Sequence, residues 1–161
     1  MPTPLSTNFT LEELTFSQTA ARLGIVNVPD PDQIQGLRDL CTHVLQPLRD
    51  ALALPISVSS GFRCPALNRA VYGASDSQHL LGRAADLQCF ALSTAEFFRR
   101  TVALNLPFDQ MIFEGGPHAV WVHISYNASG SRGQILRATF PPAGGVAYTD
   151  LTHEQALMLV A

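Results

Sequence analysis

Two histidines and an aspartate are the residues in this chain best suited to chemistry. His79 and Asp86 stand seven positions apart in Ser75-Asp76-Ser77-Gln78-His79-Leu80-Leu81-Gly82-Arg83-Ala84-Ala85-Asp86-Leu87-Gln88-Cys89. That gap is too long for the i, i+4 pairing that joins two side chains on one helix face. A turn at Gly82 feeding a strand fits it better. From Ala84 to Cys89 the pattern alternates, with Asp86 and Gln88 on one face and Ala85, Leu87 and Cys89 on the other. Val120-Trp121-Val122-His123-Ile124-Ser125 is a second alternating strand, with Trp121, His123 and Ser125 on its polar face. If that face lies beside Asp86, His123 completes a His/Asp/His set. Three protein ligands with a fourth position left to water is the composition of a catalytic zinc site, whereas structural sites more often use four ligands rich in cysteine. Taken singly, a strand histidine is more often a hydrogen-bond partner, and an aspartate after a turn more often a turn former.

The combination Ser77-x-His79-x-x-Gly82-x-Ala84-x-Asp86 with a downstream Trp121-x-His123 is more specific. It resembles the zinc site of the D-alanyl-D-alanine carboxypeptidase family of peptidoglycan peptidases, which includes many bacteriophage endolysins. The hedgehog signalling domain carries the same site more distantly. Ser59-Ser60-Gly61-Phe62-Arg63-Cys64-Pro65-Ala66-Leu67-Asn68 is similar to the family's Ser-Gly-Tyr-Arg-Ser-Pro-x-x-Asn segment. Phe9-Thr10-Leu11-Glu12-Glu13-Leu14 and Pro47-Leu48-Arg49 are similar to the opening of its small phage and prophage branch. The resemblance covers about Phe9 to Tyr126. It implies one zinc ion per chain, held by His79, Asp86 and His123, and hydrolysis of a bond in a peptidoglycan stem peptide. The reaction would be that of a D,D-carboxypeptidase or of an endolysin-type endopeptidase.

Such a site needs a general base, and a carboxylate is the usual one. Many members of the family place Glu or Asp three residues before the last histidine ligand, or His two before it. Val120 and Trp121 occupy those positions here. Glu114 is the leading candidate: it ends the preceding strand, and the Gly115-Gly116-Pro117 turn would bring it back beside His123. The plainer alternative is a solvated strand end. His118 in the same turn is the second candidate for base or transition-state donor. Arg63 offers a guanidinium fork that matches a carboxylate. The family's matching arginine helps hold substrate, while a surface ion pair is the alternative. Ser77 could hydrogen-bond substrate or cap a loop, and Trp121 could wall the groove or simply pack. A non-catalytic zinc-containing module that binds cell wall or sits in a phage particle is the rival reading, supported by the missing acid before His123.

The remaining composition limits the partners. At 161 residues, 47% hydrophobic and 14% charged, the chain suits one globular domain with a real core. A net charge of −3 and no basic cluster give no reason to expect nucleic-acid binding. All ten basic side chains are arginines. Cys41, Cys64 and Cys89 lack a C-x-x-C spacing and are expected as free thiols, with Cys41 and Cys89 buried. No signal peptide or membrane segment is readable. Synthesis in the cytoplasm is therefore expected, with access to cell wall through phage lysis or carriage in a virion. Nothing in the sequence specifies an oligomeric state.

The elements that must position the site follow from caps and periodicity. Met1 to Asn8 reads as a loose N-terminal arm. Thr10 with Glu13 predicts a capped helix running to Leu23 with Gly24 as its stop. Asp30-Pro31 opens an amphipathic helix with apolar positions from Ile34 to Leu52, which Pro47 should kink or divide. A strand at 55–60, a short helix at 65–71, a helix from Ser93 to about Leu104, and a strand at 108–114 follow. An edge strand is expected around Ile135 to Ala138, a flexible loop at 141–145 and a terminal helix from Thr152. Short strands mixed irregularly with helices predict a single α+β domain over residues 1–161, with a small central antiparallel sheet flanked by helices.

Overall fold

In the computed structural model, residues 1–115 and 120–160 are described. They form an α+β fold in which one six-stranded sheet is flanked by helices. The N-terminal part supplies α1 (Leu11–Thr15), α2 (Gln18–Leu23) and α3 (Pro31–Leu40). The capping box that opens α3 is complete: the Asp30 carboxylate accepts from the Gln33 amide, and the Gln33 side chain accepts from the Asp30 amide. At α1 only half of the expected box forms. Thr10 accepts from the Glu13 amide, while Glu12 turns to the Thr3 amide. The helix expected from Thr10 to Leu23 is two helices, because Ser17 starts a fresh N-cap.

The long amphipathic helix absorbs Pro47 without breaking. After α3 the chain widens into a π-helical turn at Cys41–Leu45, then continues as α4 (Gln46–Leu52) with Pro47 in its first turn. The widened turn accommodates a residue that has no N–H to donate to the turn before it. Leu37, Leu40, Cys41, Val44, Leu45 and Leu48 along this run are all inaccessible to solvent. They form one wall of the core.

The first eight residues are not a loose arm. Pro4 bridges Thr10, Leu5 is buried, and Gln46 accepts from both the Ser6 hydroxyl and the Asn8 amide. Burial of Leu5 and Phe9 in the main core ties the segment down.

The strands are β1 (Ser57–Ser60), β2 (Ala84–Gln88), β3 (Gln110–Gly115), β4 (Val120–Ser125), β5 (Gln134–Thr139) and β6 (Ala147–Asp150). Their order across the sheet is β1-β2-β4-β3-β5-β6. All neighbours pair antiparallel except β3 and β5, which are parallel. The expected edge strand is therefore internal: β5 lies between β3 and β6. The true edge, β6, is exposed along its whole length and lacks the apolar alternation that would mark it in sequence.

Between these strands lie α5 (Pro65–Ala70), a 3₁₀ turn at Gln78–Leu81, α6 (Thr94–Ala103) and, after β6, α7 (His153–Leu157). Leu87, Val122 and Phe113 stand opposite one another across β2, β4 and β3 and face the main core. Phe97 and Phe98 of α6 are buried in the same core. The next row along the strands belongs to the opposite face of the sheet. It contains Asp86, His123, Ile112 and Leu136.

Candidate metal centre

Asp86 lies in the middle of β2 and pairs directly with His123 on β4. Side chains paired across an antiparallel ladder share one face, so the alternation alone brings this carboxylate and this imidazole together. His79 arrives from the 3₁₀ turn. Ser77 starts that turn, its hydroxyl accepting from the His79 amide, and Gly82 ends it in the left-handed region at φ 65°. A side chain at Gly82 would collide with the Gln33 carbonyl, so glycine serves both the conformation and the close approach. Asp86 also sits beside a break in strand register between Val58 and Ser60, where the Ser59 hydroxyl donates to the Asp86 carbonyl. Such bulges re-aim strands next to sites.

Asp86 Oδ1 lies 3.2 Å from His79 Nε2 and 3.1 Å from His123 Nδ1. One candidate ligand atom from each residue falls within 4.8 Å of the others, and all three side chains are buried. His79 Nδ1 donates to the Gly61 carbonyl at 2.6 Å, which can only accept. The neutral ring then turns a bare Nε2 lone pair toward a carboxylate oxygen. Two acceptors facing each other in a buried site call for a cation between them. Tetrahedral zinc, with ligands at about 2.0–2.2 Å, separates its donors by about 3.3 Å. The donor set and spacing fit that ion.

The electrostatics suit ligation. Burial pushes His79 below its ordinary value despite the Asp86 charge, which keeps the ring neutral. Burial alone would raise Asp86, but the two imidazoles beside it outweigh burial. The carboxyl is held far below the usual range.

Arg63 lies on the segment after β1. Its Nη2 donates to Asp86 Oδ2 at 3.3 Å, Nε to the Ser60 hydroxyl, and Nη1 to the Asn68 side chain. Among the described residues those contacts leave two of the five guanidinium N–H donors for another ligand. The backbone of this segment is tightly held. Phe62 donates to the Leu14 carbonyl, Arg63 to the His79 carbonyl, and Cys64 to the Asn27 side chain. Gly61 is required here, since a Cβ would run into the Leu14 carbonyl. Ser77 is an N-cap for the turn, and its hydroxyl proton has no acceptor among the described residues.

Glu114 pairs with Trp121 on β4, two register rows beyond the His123–Ile112 pair and so on the same face of the sheet. Burial, then the nearby Asp86 charge, pushes its carboxyl up to about 7. It is therefore a partly buried acid electrostatically coupled to the candidate metal ligands. Trp121 Nε1 is buried with no hydrogen-bond partner among the described residues. His118 lies outside the described residues.

Several supporting residues belong to no local pattern that marks them as part of a site. Asn27 donates to the Thr15 and Phe62 carbonyls and accepts from Cys64, clamping the Arg63 segment to the N-terminal helices. Asn68, buried, joins Arg63 to the Ala74 carbonyl. Asp109 accepts from Gln78 at 2.6 Å and so holds the turn that carries His79. Asn68 stood inside a recognisable segment, but nothing in the sequence marked Asn27 or the Asp109–Gln78 pair.

A family model described as Peptidase M15 matches residues 7–125, about three quarters of the chain. The chain belongs to the peptidase M15 family. The match contains all three candidate metal ligands, Arg63 and Glu114. No curated protein matches the chain. In this M15 peptidase the His79/Asp86/His123 cluster is the candidate metal site, and the zinc dependence of the family agrees with its donor set. Among the described residues no helix is long and apolar enough to cross a membrane.

Proposed function

We propose that this M15 peptidase hydrolyses peptide bonds in peptidoglycan stem peptides, as a D,D-carboxypeptidase or an endolysin-type endopeptidase. The observation that carries this reading is the buried convergence of His79 Nε2, His123 Nδ1 and one Asp86 oxygen beside an acid that titrates near neutrality. Zinc, when bound there, supplies Lewis acidity that polarises a carbonyl and acidifies water. His79 and His123 contribute neutral donors and Asp86 a charged one, so the site retains net positive charge. Glu114 takes the proton of the attacking water and returns it to the departing amine, a role suited to an acid poised near the working pH. Arg63 holds Asp86 in place and offers its remaining N–H donors to a substrate carboxylate or carbonyl. Ser77 directs its free hydroxyl proton to substrate while its oxygen caps the His79 turn. Delivery to cell wall through lysis or a virion belongs to the same proposal.

The test is a metal count alongside mass spectrometry of digested peptidoglycan. One zinc per chain with new stem-peptide fragments supports the reading. Val120 and Trp121, standing where many relatives carry an acid or a histidine, favour a second reading as a non-catalytic cell-wall or phage-particle binding module. Bound zinc and retained cell-wall affinity with unchanged muropeptides after prolonged incubation would select that module instead.

A further inference from the structure

The family match ends at Ser125, yet the sheet does not. Residues beyond it add β5 and β6 on the far side of β3, widening the face that carries the metal ligands. Glu114 pairs with Ala138 on β5, and Ala138 pairs with Tyr148 on β6. The three residues form one row across the sheet, so Tyr148 projects from the same face as Glu114 with only an alanine methyl between them. With strands about 4.8 Å apart, β6 stands about 10 Å from β3. A tyrosine side chain directed over Ala138 can reach across much of that gap.

The surroundings of the phenol agree with this placement. Burial raises it first, followed by the charges of Glu114, Asp76 and Asp86. These charges come from β3, from the loop before the His79 turn and from β2. It keeps its proton at neutral pH and acts as a donor. Tyr148 is nonetheless 55% exposed, so much of it remains open to a ligand.

We propose that Tyr148 is a substrate-contacting residue, its ring and hydroxyl forming the wall of the peptide groove opposite Arg63. The ligand class is an extended peptide. Arg63 reaches Asp86 on β2 at one side and Tyr148 rises from β6 at the other. Four strand spacings between β2 and β6 make about 19 Å. The Tyr148 side chain reaches across part of that distance, and the two spacings left between β2 and β3, about 10 Å, take about three extended residues at about 3.3–3.6 Å each rather than a dipeptide. Tyr148 donates to a backbone carbonyl of the substrate, away from the bond being cut. This inference rests on the proposed peptidase reading for the identity of the peptide, and the wall comes from a segment outside the family match.

Trp121 is the chain's one tryptophan and pairs with Glu114, so its emission reports occupancy of this face. The experiment uses full-length wild type, Tyr148→Phe and Thr149→Ala. Thr149 is the adjacent β6 residue whose side chain points to the other face. Metal-free protein is titrated with a stem pentapeptide ending in D-alanyl-D-alanine, and zinc-loaded protein is assayed on the same peptide. Loss of one neutral hydrogen bond predicts binding weaker by about 2- to 10-fold for Tyr148→Phe. KM should rise by the same factor with kcat and melting temperature unchanged, and Thr149→Ala should match wild type. Binding and KM for Tyr148→Phe equal to wild type would overturn the proposal, as would equal effects of both variants. If wild type binds but does not hydrolyse, the peptidase reading fails and the fluorescence titration still decides the role of Tyr148. No binding by wild type overturns both.

Discussion

Asp86 and Asp109 are both buried carboxylates, 6% and 2% exposed, and their surroundings differ in kind. Asp109 accepts four N–H donors: the Gln78 amide group and the backbone, Nε and Nη2 of Arg132. Its hydrogen bonds to Arg132 hold it down to about 2. Asp86 receives one guanidinium N–H at 3.3 Å and turns its other oxygen to two imidazole nitrogens, one of them bare. Burial does not separate a structural carboxylate from a candidate metal ligand. The completeness of its donors does: Asp109 is closed by protein, whereas one Asp86 oxygen faces a bare imidazole nitrogen, an arrangement that suits a cation.

The sharpest way to break that contrast is to neutralise Asp86. Asp86→Asn keeps the shape but replaces an anionic ligand, and should weaken zinc binding by more than the 10- to 100-fold typical of losing an outer-shell partner. Hydrolysis should vanish while circular dichroism stays native. Retention of one zinc at wild-type affinity would place Asp86 in the same class as Asp109.

Glu114→Gln is next in size. A general base contributes about 10² to 10⁴ in rate, so kcat should fall within that range with zinc content unchanged. The substitution also has a pH signature in the metal-free chain. Folded Glu114 binds its proton up to about 7, whereas the unfolded group releases it near 4.5. Between those values the native state holds more protons, so stability falls as pH rises, by about 2–3 kcal/mol. Denaturant melts from pH 4.5 to 7.5 should show that decline in wild type and lose it in Glu114→Gln.

Asp109 has the opposite slope. Its depressed value contributes stability that is complete above about pH 4 and disappears as pH falls through about 2. Asp109→Ala should cost about 2–3 kcal/mol at neutral pH, limited because Arg132 is 56% exposed and regains water. A metal count on that variant should still give one zinc, since its role is to hold the turn rather than the ion.

The smallest effect expected is that of Ser77→Ala. Loss of the cap on the His79 turn should lower stability by about 0.5–2 kcal/mol. If Ser77 also donates to substrate, KM rises beyond what zinc affinity explains. A change in melting temperature with unaltered KM would leave it a cap only.

Much of the site could be read from the chain because its determinants are local. The Gly82 turn and the alternation of Ala84 to Cys89 aim His79 and Asp86, and the alternation of Val120 to Ser125 aims His123. Apolar periodicity likewise marked the long helix, and caps marked most helix starts. Its π-turn was not legible, since widening of the helix depends on how Pro47 is accommodated against a packed core. The anchoring of residues 1–8 also escaped, because burial of Leu5 depends on partners far along the chain.

Residue types and short-range spacing thus determined which groups can ligate a metal and which way they face, since turns and strand alternation act within a few residues. The folded chain alone decided the rest. Asp86 meets His123 through strand pairing, Arg63 becomes its brace, Asn27 clamps the Arg63 segment, and Tyr148 enters the Glu114 row through a parallel β3–β5 pair. Those relations join residues tens of positions apart. They follow from packing and register across the whole sheet, which no short window of sequence contains.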